Sequence, residues 1–180
     1  MTAIRNWAVP LLSILFSGAL LAQEVNDRNG FGIGFQLNEY QDDFGLGINV
    51  NSPYFLYESV TVRLRANYMY NQAVIEGKSD WLGYGNFSLG LASGGTRIGE
   101  SIRLYGEGGV IALLPPEQIS SNSSEWGGYG LFGFEFFFEG NGSYFLEVGG
   151  VGTGASADKV PTEPIYSNGL TISVGFRFTP

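Results

Sequence analysis

Between Glu125 and Gly152 the chain alternates with a period of two. Phe132, Phe134, Phe136 and Phe138 occupy successive even positions, with Glu135 between them. After a turn over 139–143, Tyr144, Leu146 and Val148 resume the apolar series, and Glu147 falls on the opposite parity. Successive side chains of a strand point to opposite faces, so this pattern predicts two strands. The Gly- and Asn-rich turn reaches positive φ at little cost and joins them into a hairpin. One face of that hairpin is apolar enough for lipid and the other carries charge. Few folds accept such a surface.

The same alternation runs through the chain. Gly30–Asn38 sets Phe31, Ile33, Phe35 and Leu37 against Gly32, Gly34, Gln36 and Asn38, and Phe44–Asn51 repeats it. Further strands are predicted at Ser59–Tyr70, Trp81–Ala92 and Ser101–Leu113, then the two of the hairpin, then Asn168–Phe178. Short or Gly-rich turns are expected at Ser52–Glu58, Ser93–Glu100 and within the hairpin. Polar loops are expected at Asn71–Asp80, Leu114–Ser124 and Thr153–Ser167, with a short one at Glu39–Asp43. The fold class that follows is all-β: an eight-stranded antiparallel up-and-down transmembrane β-barrel with turns at one end and longer loops at the other.

The first 22 residues read differently. Arg5 precedes an apolar stretch from Ala8 to Leu21, and Ala22 is a small residue suited to cleavage. This is the pattern of a secretory signal peptide, and it falls short of the ~20 apolar residues of a spanning helix. The expected organisation is a cleaved signal peptide over 1–22 and one barrel domain over 23–180. With 17 acidic against 9 basic side chains, the chain lacks the cationic surface that nucleic acid requires. Cysteine is absent, so the fold needs no disulfide.

Alternation alone leaves a soluble barrel open, since such a barrel turns its apolar face inward. Three features favour the membrane. The non-apolar face is mostly Gly, Ser, Thr and Asn with a few Arg and Glu, which suits a narrow lumen. The predicted strands contain no Lys, because Lys78 and Lys159 lie in the expected loops. Aromatics collect at strand ends: Trp81, Trp126, Tyr68 and Tyr70 toward the outer side, and Phe31, Phe136, Phe138, Tyr144, Phe176 and Phe178 toward the inner. Two girdles around an apolar band are the expected arrangement in a bilayer.

On this pattern the chain resembles the small eight-stranded outer-membrane β-barrel proteins of Gram-negative bacteria, the OmpA/OmpX-like group, over residues 28–178. Gly175, Phe176, Arg177 and Phe178 resemble the C-terminal assembly signal of that group, here followed by Thr179 and Pro180. The resemblance implies outer-membrane residence, contact with outer-membrane lipids and lipopolysaccharide, delivery by the barrel-assembly machinery, and a monomer.

The inward set holds Arg63, Arg65, Arg103 and Arg177 with Glu107, Glu135 and Glu147. Reckoned about Asn141, Glu135 and Glu147 are expected nearly opposite each other. The same reckoning across the preceding loop brings Arg103 beside Glu135. Two adjacent carboxylates suggest acid–base work; an interlocked ion network filling the lumen is the reading favoured here, because small barrels are filled by side chains. Gly45 and Gly47 are expected to leave room for Arg63 and Arg65.

The absence of histidine removes Ser–His–acid hydrolysis and makes a zinc site improbable, so neither catalytic residues, a metal nor a cofactor is expected. Gly150 to Ala155 brushes against a dinucleotide fingerprint but has no following helix. The acidic loop residues are read as a solvated surface, not as a divalent-cation site. A structural or surface-interaction role is therefore expected, with a narrow conduit as the alternative and a lipid-modifying enzyme behind both.

Overall fold

The computed structural model describes residues 29–180 other than 42, 76, 77, 100, 139, 161 and 162. The expected signal peptide lies outside the described residues. The strands are β1 (Gly32–Tyr40), β2 (Asp43–Asn51), β3 (Val60–Ile75), β4 (Lys78–Ser93), β5 (Thr96–Ile98), β6 (Ile102–Leu114), β7 (Glu125–Phe137), β8 (Gly142–Gly152) and β9 (Gly169–Phe178). Each pairs antiparallel with the next in the chain, except that β4 pairs with β6 and not with β5, and β1 closes the sheet by pairing with β9. Closure gives each wall strand a neighbour on both sides, although the tips of β3 and β4, beyond Asn71 and before Gly85, pair only with each other.

β5 does not make a ninth wall. Ala92 pairs with Glu107 and Thr96 with Leu104, so the β4–β5 side carries one residue more than β6 over that interval. This is a bulge. Gly95 sits there with φ +72°, and a Cβ at that position would collide with the Leu104 carbonyl. The chain bends and resumes pairing on the same partner, so β4 and β5 are one element and the barrel has eight walls.

The apolar face points out. Ile33, Phe35 and Leu37 of β1 are exposed, while Gly34, Gln36 and Asn38 between them are buried. The rule holds around the wall, with Leu46, Ile48, Leu64, Leu89, Val148, Ile172 and Val174 outside. A soluble barrel would show the reverse, so the wall is that of a transmembrane barrel. Phe44 packs with Tyr70 and Trp81 at ring distances of 5.4 and 5.2 Å, Tyr68 meets Tyr70 at 5.1 Å, and Trp126 stands exposed near the start of β7. Toward the other end Phe138 meets Tyr144 at 5.2 Å, with Phe31, Phe136, Phe176 and Phe178 exposed around them.

Two expected connections are strand instead. Asn71–Asp80 is the paired end of β3 and β4, whose register runs to Ile75↔Lys78. Ser93–Glu100 contains β5. Polarity misled in the first case: strand ends beyond an apolar band are polar because water surrounds them, and they pair all the same. The short loop at Glu39–Asp43 also contracts, since β1 runs to Tyr40 and β2 begins at Asp43.

Candidate functional site

Strand parity brings the buried charges of the described residues into the lumen. The terminal mouth is the end at which β1 begins and β9 ends, and the loop mouth is the end carrying the 115–124 and 153–168 connections. Toward the terminal mouth, Arg63 donates to Glu107 at 2.5 Å and to Glu147 at 2.9 Å. Arg65 lays its fork on Glu107 at 2.5 and 2.9 Å and reaches both oxygens of Glu147 at 3.0 Å. Tyr105 and Tyr129 donate to Glu147 and Glu107 at 2.5 and 2.7 Å. Arg103 donates to Glu135, to which Arg177 also donates at 2.8 Å. Arg177 lies 3.9 Å from Glu147 as well, so it joins the two halves of the network.

All seven sequence-predicted lumen residues thus share one buried cluster, but two geometric expectations fail. The β7–β8 register pairs Glu135 with Phe145 and Glu147 with Gly133. The turn centres on Gly140, at φ +83°, and not on Asn141, which moves the two carboxylates off each other by two residues. Each is instead held by arginines. Gly45 and Gly47 make room for Met69 and Asn67, not for Arg63 and Arg65. The glycines that serve the ionic layer are Gly133, beneath the Tyr105 ring, and Gly90, against the Tyr129 hydroxyl. Gly175, at the C-terminal motif, lies under the Phe145 ring, whose face meets the Arg177 guanidinium at 4.6 Å.

Beside the ions lies a ladder of amides. Asn67 accepts from Gln36 and Asn38, both at 2.9 Å, and donates to Asn86 at 2.6 Å; Asn49 donates to Gln36 at 3.0 Å. Asn51 accepts from the Arg63 Nε at 2.8 Å. Such a ladder suits a lumen from which water is displaced, because every buried amide finds a partner.

The loop mouth holds features the sequence did not disclose. Tyr40, Met69, Tyr84, Ile111, Leu113 and Val151 form an apolar plug with Ile119, Ala155, Ala157, Val160 and Tyr166 of the connections. Those connections fold over the opening and tie to each other: the Lys159 amide donates to the Ile119 carbonyl at 3.2 Å, and the Ser121 amide to Asp158 at 2.8 Å. Beneath them Asp43 is buried and accepts from the Tyr84 hydroxyl and the Ser167 amide, both at 2.6 Å, and from Asn71. Asp43 fell at the end of an expected loop, which hid it; its inward parity ahead of Phe44 was the available signal.

Two small cavities lie in the lumen among the described residues. One cavity of about 20 Å³ lies beside Arg65, Tyr129 and Ser173, and another of about 20 Å³ beside Asn51, Tyr54 and Arg103. Each has room for about one water. Among the described residues no group of three or more acidic, His or Cys side chains is placed to hold a metal.

No family model matches the chain and no curated protein matches it in sequence. Among solved structures it is similar to the N-terminal β-barrel domain of OprF from Pseudomonas aeruginosa, at a TM-score of 0.58 and 15% identity, over 84% of this chain and 97% of that one. The likeness is one of fold. It covers nearly the whole of the OprF barrel domain, and it fits the closed eight-walled architecture described above. At that identity it carries nothing about ligands or partners.

Proposed function

We propose that this chain is an outer-membrane barrel protein with a structural or surface-interaction role and a closed lumen. The observation that carries the reading is the filling of the lumen by described side chains: plug at the loop mouth, amide ladder, then ionic layer, with two cavities of about 20 Å³ among them. A barrel of eight strands has an interior just wide enough for side chains to fill. Outer-membrane residence is supported by the lipid-type wall, the signal-like N-terminus and the fold shared with the OprF domain. Lipopolysaccharide and outer-membrane lipids are the natural neighbours of that wall, and the Phe178-terminated last strand is the segment suited to the assembly machinery. Catalysis is disfavoured because Glu135 and Glu147 are buried and engaged with arginines.

Planar-bilayer recording of the refolded protein tests the closed lumen. Isolated barrels should show no steady conductance across the usual voltage range. A stable, reproducible conducting level would reject this reading and establish the conduit. Location is tested separately: a cysteine at Ser123, in the loop between β6 and β7, should react with an impermeant maleimide on whole cells, while one at Tyr57, in the turn between β2 and β3, should not.

A further inference from the structure

We propose that the terminal mouth of the lumen binds one small monovalent anion, of the chloride class, between Arg103 and Arg177. Charge is the first ground. Among the described residues the ionic layer holds four arginines against three glutamates, and the one further buried acid, Asp43, sits at the opposite mouth among neutral donors. The deficit is local. Arg103 and Arg177 share the single carboxylate of Glu135, which also accepts from Ser143 at 2.6 Å. Glu147 is already taken by Arg63, Arg65 and Tyr105, and Arg177 approaches it only to 3.9 Å.

Unused donors are the second ground. The Nε of Arg103 and the Nη2 of Arg177 are buried and have no hydrogen-bond partner. Both residues are more than nine-tenths buried. A buried, unsatisfied guanidinium donor is costly, and an uncompensated buried charge more so. Both residues line the same cavity, together with the Glu135 carboxylate that they share and with Asn51, Ser52, Tyr54 and Thr179, which add amide and hydroxyl groups.

Size and shape supply the third. The cavity, about 20 Å³, has the size of a site for one small species, which suits a monatomic anion better than phosphate, sulfate or a carboxylate. The faces of Arg103 are taken by Tyr54 at 5.1 Å and Phe137 at 5.3 Å, so a ligand meets it at the guanidinium edge, where the donors are. A water would satisfy those donors and leave the charge; a halide satisfies both.

The test uses the refolded barrel in detergent. Crystals grown with sodium bromide as the only halide should give one anomalous peak between Arg103 and Arg177. In solution, the wild-type unfolding midpoint should be higher in chloride than in gluconate at equal ionic strength. Arg103→Gln should lose both the peak and the halide dependence, while Lys159→Gln, in an exposed loop, keeps them. The wild-type barrel decides the matter even if Arg103→Gln fails to fold. Absence of the bromide peak, or equal midpoints in the two salts, would show that the cavity holds water and overturn the proposal.

Discussion

Arg65 and Glu107 form a two-pronged ion pair inside the lumen, Nη1 to Oε1 at 2.5 Å and Nη2 to Oε2 at 2.9 Å. The partners come from β3 and β6, which are not neighbours in the sheet. Paired hydrogen bonds of this kind fix orientation as well as charge. Glu107→Gln leaves Arg63 and Arg65 short of a carboxylate in a dry lumen, and should cost about 3–5 kcal/mol. The double variant Arg65→Met, Glu107→Leu should recover part of that loss, because an apolar pair of similar volume avoids desolvating two charges. Urea unfolding in detergent micelles measures both.

The space over Gly133 is a second point of tension. Its missing Cβ is what lets the Tyr105 ring lie against β7 on the way to Glu147. Gly133→Ala should destabilise the barrel by about 1–3 kcal/mol, the usual range for overpacking. Combining it with Tyr105→Leu should give a loss smaller than the sum of the two single losses, since the clash is removed. Equal sums would mean that the ring moves aside freely.

Tyr84 links the barrel to the 153–168 connection. Its hydroxyl donates to Asp43 at 2.6 Å and lies 2.6 Å from the Ser167 Oγ. Tyr84→Phe removes a hydrogen bond to a buried carboxylate and should cost about 1.5–3 kcal/mol. The effect should be greatest at the mouth: limited proteolysis should cut within 153–168 several times faster, with the barrel itself intact. Unchanged cleavage would separate Asp43 from the cap.

Acid should loosen the cap through Asp158. The Ser121 hydroxyl, and after it the Ser121 amide, hold this carboxyl below its ordinary value. A group depressed in the folded state stabilises above its unfolded pKa of about 3.9, and that contribution is lost as pH falls through the lower folded value. Protection of the Ser121 amide from hydrogen exchange, corrected for intrinsic rate, should hold between neutral pH and about pH 5 and fall below about pH 4. Asp158→Asn should flatten this dependence.

The sequence by itself determined the faces. A period of two leaves no freedom about which side of a strand a residue takes, so Phe35 outside and Arg63 inside were legible before any coordinates. It also determined contacts made by direct strand neighbours through a well-centred connection: Arg103 pairs with Glu135 in the observed register. Where the turn centre was ambiguous the reckoning slipped, and Glu147 came to face Gly133. Tertiary structure alone decided the contacts across the lumen. Arg65 meets Glu107 and Glu147 only because a closed, staggered wall sets β3 at a particular height against β6 and β8, and stagger is a property of closure that no single strand encodes. The cap is of the same kind. Ile119 and Val160 read as loop residues, and they are buried because the mouth of a filled barrel presents an apolar floor that two connections cover together.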